Sequence, residues 1–106
     1  MSALIYCPFP DRETALKVGG QLIEERLVAC TNVGGAIASI FSWKGERGEG
    51  EEVPALLKTD ASLLQAAMER LEQLHPYDTP AILGWPCQAS AGTQEWLAGL
   101  NDGGKV

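Results

Sequence analysis

The chain has 106 residues, 14 Asp and Glu against 8 Lys and Arg, a formal net charge of −6, and 45% hydrophobic residues. That balance excludes a disordered tail, and basic residues scattered from Arg12 to Lys105, no two adjacent, argue against the clustered positive surface of a nucleic-acid binder. No stretch approaches the roughly 20 apolar residues of a membrane span, Met1–Ile5 lacks the basic start of a signal peptide, and three widely spaced cysteines (Cys7, Cys30, Cys87) suit a reducing compartment, so a cytoplasmic protein without membrane contact is expected.

In chain order, Leu4–Cys7 is an apolar run of strand length, closed by Pro8 and Pro10. Asp11 reads as an N-cap, and Ala15, Val18, Leu22 and Ile23 recur at helical spacing, which predicts an amphipathic helix from Asp11 to about Arg26. Gly19 and Gly20 interrupt that helix at a cost of about 0.5–1 kcal/mol each relative to Ala. They lack phosphate-loop spacing, so close helix–sheet packing is their expected role. Val28–Val33 is a predicted strand, interrupted at Gly34-Gly35 and resumed over Ala36–Trp43, with Ile37, Phe41 and Trp43 on one face. The polar, Gly-rich stretch Lys44–Gly50 marks a turn, and Glu52–Thr59 is the return strand. Pro54 cannot donate to a ladder and is expected at an unpaired edge or a bulge.

A second helix starts near Asp60, turns Leu64, Ala67, Met68, Leu71 and Leu74 inward, and stops at His75-Pro76. Thr79–Cys87 is the fourth strand and Gln94–Leu100 a short closing helix. No internal repeat or linker divides residues 1–106, so one domain is expected. Strand, helix, strand, strand, helix, strand predicts an α+β fold, a ferredoxin-like βαββαβ sandwich with a long hairpin between its second and third strands and a short C-terminal helix. A hairpin of that length holds more strand than its own sheet can pair, which predicts self-association.

Val28-Ala29-Cys30-Thr31-Asn32-Val33, Ser39-Ile40-Phe41-Ser42-Trp43-Lys44-Gly45, Glu52-Val53, Lys58-Thr59 and His75-Pro76-Tyr77-Asp78-Thr79-Pro80 together resemble the CutA family of divalent-cation tolerance proteins, without a gap from the first strand to Pro86. The resemblance implies a cytosolic, non-enzymatic homotrimer that binds copper or another divalent metal ion and takes part in the response to metal ions. It also implies copper ligands at a Cys matching Cys7 and at two consecutive histidines before the Pro-Tyr. Here Cys7 and His75 match, while Leu74 fills the place of the first histidine. Phe41 stands where the family usually has Tyr, and Ala81 where Glu is frequent.

His75 is the only histidine, so any Ser-His-Asp or Cys-His arrangement must pass through it, and no G-x-S-x-G, H-E-x-x-H, Walker or C-x-x-C pattern occurs. Catalysis is not expected. In the predicted topology the first strand and second helix run in the same direction, which brings Cys7 and His75 to one end, with Glu46, Glu49, Glu51 and Glu52 of the hairpin reaching toward it. Thiolate with imidazole suits copper or zinc. Against this stand the usual roles of such residues, a packed thiol and a histidine on a helix C-terminus. Tyr77 is expected to anchor a turn, the tryptophans Trp43, Trp85 and Trp96 to fill core or subunit contacts, and the glutamates to form a solvated hairpin tip. Two other functions stay open: a trimeric effector sensor resembling the P-II-type signalling proteins, and a trimeric scaffold without a ligand.

Overall fold

The computed structural model describes residues 1–102. β1 (Ser2–Phe9) alternates strictly, with Ala3, Ile5, Cys7 and Phe9 buried and the residues between them, from Leu4 onward, half-exposed. After it the Asp11 carboxylate accepts from the Thr14 N–H at 2.7 Å and starts α1 (Arg12–Glu24). Ala15, Val18, Gly19 and Leu22 of α1 face the sheet, whereas Ile23, expected on that stripe, lies exposed at the flank.

The interrupted second strand is two strands, β2 (Cys30–Val33) and β3 (Ile37–Trp43), laid along different halves of a single 15-residue β4 (Glu46–Asp60). The expected turn over Lys44–Gly50 shrinks to two residues. Lys44 (φ 51°) and Gly45 (φ 81°) both take the left-handed conformation, the geometry that matches a tight hairpin to strand twist, so pairing resumes at once with Trp43 opposite Glu46. The glutamates at 46, 49, 51 and 52 therefore belong to a strand and not to a loop. A single 3₁₀ turn (Ala61–Leu63) leads into α2 (Leu64–Leu74); Ala67 and Leu71 are buried there, and Leu64, Met68 and Leu74 pack half-buried against the core. β5 spans Leu83–Cys87 only, because the segment with Pro76 and Pro80 runs as loop, and α3 (Ala91–Ala98) starts earlier than expected, at the Ser90 cap.

The five strands form one antiparallel sheet in the order β2-β4-β1-β5, with β3 beside the outer half of β4. β1 and β2 are both antiparallel to β4 and hence parallel to each other around it; β4 and β5 bracket β1 in the same way. The two helical crossovers therefore interleave. Ile5, Cys7, Phe9, Val53, Ala55 and Leu57 of the sheet meet Ala15, Val18 and Leu22 of α1 and Ala67 and Leu71 of α2 in one core. The helices are also tied outside the core, where the Arg70 guanidinium grips the Glu25 carboxylate through two bonds of 2.7 and 2.9 Å. On the other face Leu83 is 57% and Trp85 42% exposed, and Leu4, Tyr6 and Leu56 are only half-buried.

Pro54 is not at an edge. It faces Pro8 across the β1–β4 ladder, and its carbonyl accepts from Gly34 N–H at 2.9 Å. Two facing prolines bring no N–H to that rung, which leaves the Pro8 carbonyl to be served by side chains.

Candidate functional site

β1 and α2 deliver Cys7 and His75 to the same end of the fold, and both side chains converge on the Pro8 carbonyl. His75 ends α2 because Pro76 forces it into extended backbone (φ −70°, ψ 140°). The residue is 7% exposed, and its ring stacks on Phe9 with centroids 4.6 Å apart. Nδ1 accepts from the Tyr77 backbone N–H at 3.1 Å, which places the proton on Nε2, and Nε2 donates to the Pro8 oxygen at 2.9 Å. Burial pushes the His75 pKa below the ordinary imidazole value, against an upward pull from the Pro8 carbonyl and the Glu52 charge. Cys7 is fully buried, its Sγ 3.6 Å from the same oxygen, and burial together with Glu52 pushes the thiol up to about 12.

To hold copper or zinc, this pair must offer a thiolate and a free imidazole lone pair. Both nitrogens of His75 are engaged and the Cys7 thiol holds its proton, so the pair as folded does not fit a ready-made metal centre. Among the described residues no group of three or more His, Cys, Asp or Glu stands placed to share an ion.

The same end carries a second feature. The Tyr77 hydroxyl donates to Glu52 Oε2 at 3.1 Å, joining the loop after α2 to β4, and burial and this bond raise the phenol to about 12. Between that loop and the β3–β4 hairpin lies a cleft of about 500 Å³, lined among others by Phe41, Trp43, Glu51, Glu52, Tyr77 and Pro80. Of the expected carboxylates, Glu49, Glu51 and Glu52 line the cleft, while Glu46 sits beside the hairpin turn. Tyr77 does more than anchor a turn, and Phe41 and Trp43 stand half-exposed on the cleft wall. The sequence carried a signal for this: with the turn fixed at Lys44-Gly45, two-residue alternation sets Phe41, Trp43 and Glu52 on one face.

Residues 3–99 match the family described as CutA1 divalent ion tolerance protein. The divalent-cation tolerance protein CutA of Pectobacterium atrosepticum is 37% identical over 100 residues, covering 94% of this chain and 89% of that protein. Its counterpart from Pyrococcus horikoshii is 45% identical over 80 residues, 76% of this chain and 78% of that one. The crystal structure of the divalent ion tolerance protein CutA1 from Ehrlichia chaffeensis superposes with a TM-score of 0.86 at 32% identity, covering 93% of this chain and 94% of that one. An α+β fold with a five-stranded antiparallel sheet and three helices is common to them. The chain belongs to the CutA1 divalent ion tolerance family.

Proposed function

We propose that the 106-residue chain acts as one domain of a cytoplasmic, non-enzymatic homotrimer that serves divalent-cation tolerance, with copper or another divalent ion as its ligand. The observation that carries the assembly is the sheet face turned away from α1 and α2, where Leu83 and Trp85 remain exposed beside half-buried Leu4, Tyr6 and Leu56. An apolar sheet face and unpaired strand edges of this kind call for a partner, and a second copy supplies matching ones. The count of three rests on the family resemblance. A non-catalytic role accords with the only histidine holding both ring nitrogens in hydrogen bonds, which leaves no free imidazole to activate a nucleophile. Three free cysteines accord with a reducing compartment.

The metal reading draws on the family's description and on Cys7 and His75 lying at one end. Since both are engaged, they serve as ligands only in a state where Nε2 has left Pro8 and the thiol has lost its proton. Binding there is accordingly weak and favoured by rising pH. One experiment tests assembly and ligand together: light scattering of the wild type, then Cu(II) titration of wild type and His75→Ala by calorimetry. The expected mass is three times 11.3 kDa, with weaker Cu(II) binding in the variant. A stable 11.3 kDa monomer overturns the assembly, and identical titrations remove His75 from the ligands.

A further inference from the structure

The β3–β4 register places Phe41 opposite Gly48 and Trp43 opposite Glu46, so one face of the hairpin carries both aromatic rings together with Gly48, Gly50 and Glu52. The Phe41 ring lies over Gly48, where a Cβ would collide with it. At Gly50 a Cβ would meet nothing within 4 Å, which leaves the floor of the cleft open. At the inner end stands the Glu52 carboxylate, hydrogen-bonded to the Tyr77 hydroxyl and without an ion-pair partner among the described residues. No lysine or arginine lines the cleft; of the three glutamates along it the register turns Glu52 to this face and Glu49 and Glu51 to the other, where Glu49 pairs with Arg47 at 3.0 Å. At its margin the Lys44 ammonium already sits 5.8 Å from the Trp43 ring centre, a cation drawn to that ring from within the chain.

These features discriminate among ligands. An anion meets the Glu52 carboxylate with no cationic side chain lining the cleft to offset it. A hydrated inorganic ion gains nothing from the Phe41 and Trp43 walls, and a neutral apolar molecule buries the Glu52 charge with no counter-charge beside it. We propose that the cleft binds an organic cation, an amine or quaternary ammonium carried on an apolar body. The charged head lies against Glu52 and the aromatic faces, and the body fills the apolar wall. About 500 Å³ accommodates a ligand of that class. This goes beyond the divalent-ion reading and uses neither Cys7 nor His75.

The probe is benzyltrimethylammonium, with benzyl alcohol and benzoate as its neutral and anionic counterparts. Each is titrated into the full chain in its native assembly at neutral pH and followed by tryptophan fluorescence and backbone amide shifts. Saturable binding of the cation is expected, with shifts confined to residues 41–43, 50–52 and 77–81, benzyl alcohol weaker by roughly tenfold, and no binding of benzoate. Glu52→Gln keeps an acceptor for Tyr77, so the fold is retained and the cation's affinity falls by roughly tenfold. Should the variant fail to fold, the wild type is titrated at rising salt, where the affinity must fall. Equal affinity for cation and alcohol, a salt-independent affinity, an unchanged Glu52→Gln variant, or no binding at all because a neighbouring copy fills the cleft each overturns the proposal. Scattering mass and Cu(II) titration on the same samples report separately on the assembly and the metal reading.

Discussion

His75 is held on three sides: the Pro8 carbonyl at Nε2, the Tyr77 N–H at Nδ1, and the Phe9 ring against its face. Protonation puts a second hydrogen on Nδ1, where it confronts the Tyr77 N–H. Because burial lowers the folded pKa below the unfolded value of 6.5, the folded protein prefers the neutral ring more strongly than the unfolded chain does. The resulting stability is present above pH 6.5 and is lost as pH falls through that value toward the lower folded pKa. Asp11, Glu25 and Asp60 behave in the opposite chemical sense but the same direction. Their carboxyls are held below the usual range by Thr14, Arg70 and Ser62 respectively, so their contribution is lost only in stronger acid. The thermal midpoint should therefore fall in two stages, the first as pH drops below 6.5 and the second in stronger acid. In His75→Gln that first stage should vanish. A variant with the same slope as wild type would show that another group titrates there.

At the scale of elements, α1 meets β2 through a single close approach. A Cβ at Gly19 would stand 2.5 Å from Thr31 Cγ2, and the Thr31 hydroxyl donates to the Gly19 carbonyl at 3.3 Å, whereas at Gly20 a Cβ meets nothing within 4 Å. The adjacent pair should thus respond with opposite signs to the same change. Gly19→Ala forces helix and strand apart and should cost about 1–3 kcal/mol. Gly20→Ala removes an unneeded flexibility in mid-helix and should gain about 0.5–1 kcal/mol. Chemical denaturation of the two variants checks both. The pair of glycines was legible in the sequence as a packing signal, but spacing alone does not say which one touches the sheet. Strand, helix and cap positions read in the same way: Asp11, the Leu64–Leu74 stripe and the stop at His75-Pro76 were all visible, because each is set by local chemistry. The two-residue turn was hidden because Lys44 is an unusual residue at a left-handed position, and the run of glycines after it mimics a loop. The cleft followed it into obscurity, since its wall depends on which residues face Phe41 once the turn is placed. Cys7 and His75 were legible as neighbours, yet their bonds to the Pro8 carbonyl depend on a facing pair of prolines that no spacing rule reveals.

The described chain measures 47 × 25 × 23 Å, with a radius of gyration of 14.4 Å. A compact chain of this length would have about 13 Å. The excess lies in the β3–β4 hairpin, whose outer half pairs only with itself, beyond the reach of β1 and β2. An extension of this kind is costly in isolation, because a two-stranded ribbon is marginal in water. Its Ile40, 66% exposed, gains little burial within the single chain. The proposed association would change that balance, and the sheet face with Leu83 and Trp85 is where the apolar area is available. Leu83 stands opposite Tyr6 at the start of the edge strand β5, so Leu83→Glu places a carboxylate on this face beside Tyr6 and Trp85 without touching the helix-side core. A charge buried at an interface without a partner is strongly unfavourable. The expected result in light scattering is a fall in mass toward 11.3 kDa at concentrations where wild type remains assembled. Leu16→Glu serves as the comparison: Leu16 is 50% exposed on α1, on the opposite side of the sheet, and its replacement should leave the mass unchanged. If Leu16→Glu dissociates the assembly and Leu83→Glu does not, copies meet through their helices, and the open sheet face must find some other cover.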